Sequence, residues 1–527
     1  MSRRSWRLTS LIAAILLASF LFQLPTSLTG GVADWQEFAF YDPGTVLKGD
    51  MLLAKGYLPT LDFGYTHGLL SLLYGRIGFF LLGRSPWTFF ALTLLCEFVI
   101  AWAFARIALA LRLSQPALIV LLVGLPMALL PAYLTLTHPL EAMFIALALA
   151  EQAQGKRHRA LWLLTVCLFV KPSMAYVYGA LLVAIILAGK NRRNTTRAFG
   201  GAALTALLLA AALALWTGPL PVFRTLLPLT GAKTYAATGF GFFNTSGRDL
   251  WWRQPWWAYI GTPVGMVLLG ALTCTLGAPY ALLRLFRFPP PPAPKSFPPS
   301  APPSILYAGP DINFDTARCR RHEMLATVAL LELAFLLGFY GWTGSWTYYS
   351  YLLVWALVLA TEELVRVRRW TWLPGTVVAL LALSYCELIG VALNGWTAKD
   401  RPPSAGGLWV YPQLWQDWRD ALAATRGQPT LLMTNGWPPD LPPNAQLPDA
   451  WFPELGIPTA PEIERVRQQV AHAQYAIRWH AYQNFEDVWT EPRLAAERKR
   501  FVPIFQNSHF TVLERMQNSP QSTRAAK

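Results

Sequence analysis

The stretch DWQEFAFYDPGTVLKGDMLLAKGYLPTLDFGYTHG, residues 34–68, decides how the rest of the chain is read. It is acidic, aromatic and punctuated by Gly and Pro, and it separates two apolar runs. A plain connection between neighbouring elements needs only about 4–6 residues. This one carries Asp34, Glu37, Asp42, Asp50 and Asp62 among aromatic residues suited to headgroup depth. Carboxylates placed where the dielectric falls are candidates for proton transfer or cation binding.

Working outward, the 527 residues are 54% hydrophobic and only 14% charged, with mean hydropathy +0.33. A soluble chain carries about 25% charged residues, so the composition selects an integral membrane protein. Several apolar runs approach the ~20 residues that cross a bilayer core. The first, Ser10 to Leu28, follows Arg3, Arg4 and Arg7 and lacks a small-residue cleavage site, so it is read as an uncleaved span. The net charge of +15 does not indicate nucleic acid. The basic residues gather in short clusters between apolar runs, at 156–159, 190–197, 318–321 and 366–369. That is the positive-inside pattern, and it puts the N-terminus in the cytoplasm and the 30–68 loop outside. The five cysteines fall in apolar spans or a cytoplasmic loop, which predicts no disulfide, thiolate metal site or nucleophilic cysteine.

The pattern continues with a short apolar helix over Leu69–Leu82, lying in or dipping into the outer leaflet. Spans follow over Pro86–Leu111 and Ala117–Leu136, with Thr137–Glu141 read as a tight external turn. Residues 160–189 have basic clusters at both ends and Lys171-Pro172 in the middle, which predicts a helical hairpin. Arg197–Leu215 exits to a second external loop, Trp216–Trp256, and Trp257–Leu285 returns to a Pro-rich cytoplasmic linker over 286–322. Spans over Glu323–Trp342, Trp346–Leu364 and Trp370–Leu393 complete about eleven crossings. The expected fold is an all-α polytopic membrane module over 1–395. A small α/β C-terminal domain over 396–527 is then placed in the periplasm. Its strands are expected at Thr430–Asn435, Ala473–Trp479 and Phe510–Arg515, and an amphipathic helix over 461–473.

Within the first loop, Asp42-Pro43-Gly44 is followed by Leu52-Leu53, Gly56, Pro59, Asp62-Phe63, Tyr65 and His67-Gly68. This spacing resembles the first-loop signature of type-C glycosyltransferases, the class that includes bacterial protein O-mannosyltransferases and the aminoarabinose transferases of lipid A. Pro43 stands where many members have Glu, and Thr60 where an aromatic is common. The resemblance is best over the first two hundred residues. It implies a bacterial inner-membrane enzyme using a polyprenyl-phosphate-linked sugar donor, with a glycan, lipid or protein as acceptor and inversion at the anomeric carbon. It leaves open a divalent metal ion as cofactor.

On that resemblance Asp42 is expected to be the general base, a role that a helix N-cap reading rivals. Glu141 is expected to orient the acceptor or help hold a metal, against the plainer reading of a first-turn helix carboxylate. Lys171, a cation inside an apolar hairpin, is expected at the donor phosphate rather than snorkelling to headgroups. His138 and Arg253, the latter with Arg248 among tryptophans, are further candidates for phosphate binding. Asp34, Asp62, Tyr65 and His67 complete the substrate loop. The Tyr348–Tyr351 cluster is read as an aromatic belt, and Glu97 and Glu332 as intramembrane carboxylates that pair inside the bundle. No Gly-rich nucleotide loop is present, so a nucleotide-sugar or ATP site is not supported. The competing class is a transporter or lipid-linked-oligosaccharide flippase, which favours internal repeats and broken mid-membrane helices.

Overall fold

The computed structural model describes residues 6, 9–17, 42–59, 65, 68–84, 86–129, 136–188, 192–227, 263–287, 310–337, 341–368, 372–384, 404–405, 408–409, 412–433, 460–480 and 492–516. Its N-terminal part is helical: residues 9–17, α1 (Asp42–Ala54), α2 (Leu69–Leu82), α3 (Pro86–Leu111), α4 (Gln115–Leu129), α5 (Thr137–Ala153), α6 (Arg157–Leu168) and α7 (Pro172–Ala188). There follow α8 (Arg192–Thr217), α9 (Pro219–Leu226), α10 (Pro263–Arg287), α11 (Pro310–Leu337), α12 (Gly341–Arg368) and α13 (Leu373–Ser384). Segments in α3, α8 and α10 (Ala91–Leu111, Thr195–Thr217 and Leu268–Leu285) are long and apolar enough to cross a membrane. Leu69–Leu82, Gln115–Gly124 and Pro172–Ala188 are apolar but shorter, so by that criterion the described residues do not reach eleven crossings.

Several boundaries follow from local chemistry. α2 stops at Gly83, whose φ of 82° suits a residue without Cβ and whose N–H donates to the Phe79 carbonyl. α3 and α7 both start on proline, which has no N–H to waste in a first turn.

Four expectations are corrected. Thr137–Glu141 is not a turn but the first turn of α5, and it is buried. Pro139 misled the reading because proline is tolerated in the opening turn of a helix. α11 begins at Pro310, so the last part of the 286–322 linker is helical. Pro219–Leu226, read from the sequence as the start of a second external loop, is the helix α9. Tyr349, Ser350 and Tyr351 lie wholly inside the bundle on α12 rather than in a surface belt.

The α10, α11 and α12 helices pack together, α12 also packs on α4, and α5 is held between α3 and α6. At the end of α5 that carries the basic clusters, ion pairs join the helices. Arg106 meets Glu151 at 2.6 Å, and Arg157 meets Glu323 at 2.5 Å. Gln152 donates to Glu323 and Thr327, and Glu362 accepts from the Ser114 main chain at 2.7 Å and from its hydroxyl at 2.6 Å.

The C-terminal residues build a four-stranded sheet in the order β3-β4-β6-β5. Here β3 is Thr430–Met433, β4 Tyr475–Trp479, β5 Phe501–Gln506 and β6 Phe510–Arg515. β3 and β4 run parallel, joined through α15 (Ala460–His472), and the other pairs are antiparallel. Helix α14 (Pro412–Ala424) precedes β3, and its Asp417 meets His509 of the β5–β6 turn at 2.7 Å. A two-stranded ribbon, β1 (Ser404–Ala405) and β2 (Leu408–Trp409), lies ahead of them.

One contact fixes the first loop on the bundle. The Gly68 N–H donates to the Val170 carbonyl at 2.9 Å, and the Leu70 N–H to that of Phe169 at 3.0 Å. A Cβ on Gly68 would lie 2.1 Å from the Phe169 carbonyl oxygen, so only glycine fits. Gly68→Ala is expected to destabilise the protein by about 1–3 kcal/mol through overpacking against backbone. Gly179→Ala, in α7 with open space at its Cβ, is expected to be neutral or to gain up to ~1 kcal/mol of helix propensity. Thermal unfolding of the two variants in the same detergent checks this contrast.

Candidate active site

The α6–α7 turn places a cation among carboxylate, imidazole and hydroxyl groups. Lys171 follows the end of α6, its N–H donating to the Cys167 carbonyl at 2.9 Å, and Pro172 then opens α7. Its side chain is buried, with the residue only 7% exposed. The ammonium lies 3.6 Å from Glu141 Oε2 and 3.2 Å from His138 Nδ1. It also stands 5.5 Å from the Tyr349 ring centroid, within cation–π range.

Glu141 is 1% exposed, on the face of α5 turned to this cation. The Tyr349 hydroxyl donates to its Oε1 at 3.0 Å and lies 3.3 Å from Oε2. Ser173 adds its hydroxyl 3.3 Å from that of Tyr349, and the Phe335 ring packs on Tyr349 at 4.4 Å between centroids. Because an ammonium has only donors, His138 Nδ1 accepts from Lys171, which leaves the neutral tautomer with its proton on Nε2. The 3.9 Å approach of the same Nδ1 to Glu141 is then a contact, not a hydrogen bond. Lys171 and Glu141 therefore balance each other in charge inside the bundle.

The first loop comes beside this cluster through Tyr65, at the opening turn of α5. Its hydroxyl shares a 3.0 Å hydrogen bond with Ser71, which in turn donates to the Gly68 carbonyl at 2.7 Å. Burial pushes the Tyr65 phenol up to about 12, so it acts as a neutral hydroxyl. Thr137, in the opening turn of α5, also touches that hydroxyl. Tyr65, His138, Glu141 and Lys171 are thus gathered around the start of α5 and the α6–α7 turn.

Asp42 is the first residue of α1, a position compatible with a role at a helix start. Asp34, Asp62, His67, Arg248 and Arg253 lie outside the described residues. Glu97 and Glu332 are buried, away from the surface. Tyr349 and Ser173 are site residues that the sequence reading did not pick out, because an aromatic near a span end looks the same in sequence whether it faces lipid or core. Among the described residues, no group of three or more His, Cys, Asp or Glu side chains is placed to hold a metal. Next to His138 and Glu141 it is the Lys171 ammonium that supplies positive charge.

No protein-family model matches the chain. No curated protein matches it in sequence. Among solved structures it is similar to the arabinofuranosyltransferase AftD from Mycobacteria, with 15% identity and a TM-score of 0.41 over 98% of this chain. The chain spans 40% of the length of AftD. It is also similar to ArnT from Cupriavidus metallidurans bound to undecaprenyl phosphate, with 11% identity and a TM-score of 0.39, covering 97% of this chain and 98% of that one. The apo state of ArnT gives 11% identity and 0.39 over 96% of this chain and 97% of that one.

Removing one partner of a buried ion pair strands the other charge, at a cost of about 3–5 kcal/mol. Lys171→Met and Glu141→Gln are each expected to destabilise by that order. The double variant is expected to lose much less than the sum, which a double-mutant cycle on unfolding in detergent measures. Tyr349→Phe, which removes a hydroxyl bonded to a carboxylate, is expected to cost about 1.5–3 kcal/mol in the same assay.

Proposed function

We propose that the chain is a membrane-embedded glycosyltransferase moving a sugar from a polyprenyl-phosphate donor to an acceptor at the outer membrane face. The observation that carries this reading is the buried Lys171 ammonium, held by Glu141, His138 and Tyr349 beside the end of the first loop. A lysine inside an apolar bundle is unfavourable unless a partner or ligand matches it, and such residues mark functional sites. The loop motif from Asp42 to Gly68, which resembles the type-C signature, supplies the second support.

The chemistry is a direct displacement. The acceptor hydroxyl oxygen attacks the anomeric carbon as the bond from that carbon to the donor phosphate oxygen breaks. The acceptor proton passes to the Asp42 carboxylate, and the polyprenyl phosphate leaves with the bonding pair. Lys171 offsets the charge that develops on the leaving phosphate. His138 lies within hydrogen-bond reach of the ammonium and helps orient it. Glu141 acts as a positioning residue: it holds the ammonium, and Tyr349 holds Glu141. Attack from the face opposite the leaving group gives inversion. The acceptor is a periplasmic-face glycan, lipid or protein, and the site lies at the outer side of a bacterial inner membrane.

Purified protein in lipid nanodiscs, supplied with radiolabelled polyprenyl-phosphate sugars and a membrane extract, tests the reading. Wild type is expected to transfer label, and Asp42→Asn to lose roughly 10²–10⁴-fold in rate, the range for one general base. Lys171→Ala is expected to raise the apparent KM for the donor. Near wild-type turnover by Asp42→Asn would remove it as the base. An unchanged donor KM in Lys171→Ala would remove the phosphate role. A wild type that shows no label transfer and no saturable binding of polyprenyl phosphate would overturn the function.

A further inference from the structure

Away from Lys171, α1 and α2 carry a second charged group that the proposed reaction does not use. Asp50, on α1, is 2% exposed. Its Oδ1 lies 3.2 Å from Arg76 Nη1 and its Oδ2 accepts from Arg84 Nε at 2.5 Å. Arg76 Nη1 also approaches the Asp50 carbonyl at 3.4 Å. One carboxylate thus faces two guanidinium groups, and the cluster keeps a net positive charge.

The two arginine side chains are 36% and 40% exposed, so neither is enclosed by the protein. A guanidinium has five N–H donors, and Asp50 engages only a minority of the ten. Their positions are set by backbone. Gly83 turns the chain back at the end of α2 with its φ of 82°, and the Thr88 hydroxyl ties the turn through the carbonyls of Leu82 and Gly83 at 3.2 and 2.6 Å. Arg84 is thereby brought to the same carboxylate that holds Arg76, eight residues earlier in the chain.

The surroundings point to a membrane surface. Ile77, Phe80, Leu81 and Leu82 of α2 are exposed, Phe80 by 87%, and Phe80 follows Arg76 by one helical turn. At 14 residues, α2 is about 21 Å long, too short to cross a ~30 Å hydrocarbon core. A short helix with a bare apolar face edged by arginines suits the interface between acyl chains and headgroups. Paired guanidinium forks are well matched to a phosphate, which accepts parallel N–H bonds.

We propose that Arg76 and Arg84, braced by Asp50, clamp the phosphate of an anionic lipid headgroup at the bilayer surface. This site stands apart from Lys171 and does not depend on the sugar-transfer reading. Asp50 keeps both forks in place before the lipid arrives, so little side-chain freedom is lost on binding.

The test uses the full chain in neutral detergent, titrated with phosphatidylglycerol or phosphatidylcholine. The thermal midpoint is read, and bound lipid is counted by native mass spectrometry. Wild type is expected to show a saturable shift and retained lipid with phosphatidylglycerol alone. Arg76→Gln/Arg84→Gln is expected to weaken the apparent phosphatidylglycerol affinity at least tenfold. Arg76→Lys/Arg84→Lys keeps the charge and the pairing to Asp50 but loses the forks, and is expected to weaken it at least threefold. It also serves if the glutamine variant does not fold. Glycerol 3-phosphate and inorganic phosphate, added as soluble probes, are expected to give no shift at the same concentrations. Equal response to the two lipids, or undiminished affinity in the lysine variant, would overturn the clamp. A soluble phosphate matching phosphatidylglycerol would overturn the lipid as its occupant.

Discussion

A lysine and a glutamate buried side by side set the terms for the rest of this structure. Neither can enter an apolar bundle charged and alone without a penalty of several kcal/mol. Each element near them is arranged to keep the other in reach. The end of α6 and the proline that opens α7 fix Lys171, the opening turn of α5 fixes Glu141, and α12 brings the Tyr349 hydroxyl from the far side. Apolar residues of similar volume would hold such a bundle about as well or better. Stability alone therefore does not account for the pair, which accords with the phosphate role proposed for Lys171.

The two ends of the bundle divide the labour. Glu151 lies ten residues beyond Glu141 on α5, about 15 Å along the axis, and it belongs to the network with Arg106, Lys156 and Arg159. That end ties helices to one another with arginines on their rims, where ion pairs are partly solvated. The Lys171 end is drier and has fewer charges, and its hydrogen bonds go to uncharged hydroxyl and imidazole groups as well as to a carboxylate. In a low dielectric those few interactions count for more.

How much of this was legible in the sequence depends on the range of the interaction. Leu69–Leu82 and Pro86–Leu111 have the bounds the sequence suggested, because Gly83 and Pro86 are local signals that act within one turn. The Lys171-Pro172 break between two helices was legible for the same reason. Thr137–Glu141 was misread because a proline two residues after a threonine marks a turn and a helix start equally well. The 310–322 segment was misread because a Pro-rich run gives no sign of where helix begins again. Tyr349 was hidden differently. Its partner lies 208 residues away, and nothing in Tyr-Tyr-Ser-Tyr distinguishes a buried hydroxyl from one at the lipid surface. Asp50 and its two arginines, 26 and 34 residues apart, were just as silent, since pairing in space leaves no spacing rule in the chain.

The contact between Gly68 and the α6–α7 turn also orders events in time. A ribosome adds about 5–20 residues each second, so roughly 5–20 s pass between making Gly68 and making the carbonyls it binds. Glu141 waits a few seconds for Lys171, but Tyr349 arrives only after a further interval on the order of ten to forty seconds. For that period the nascent chain holds an incomplete polar cluster at the membrane.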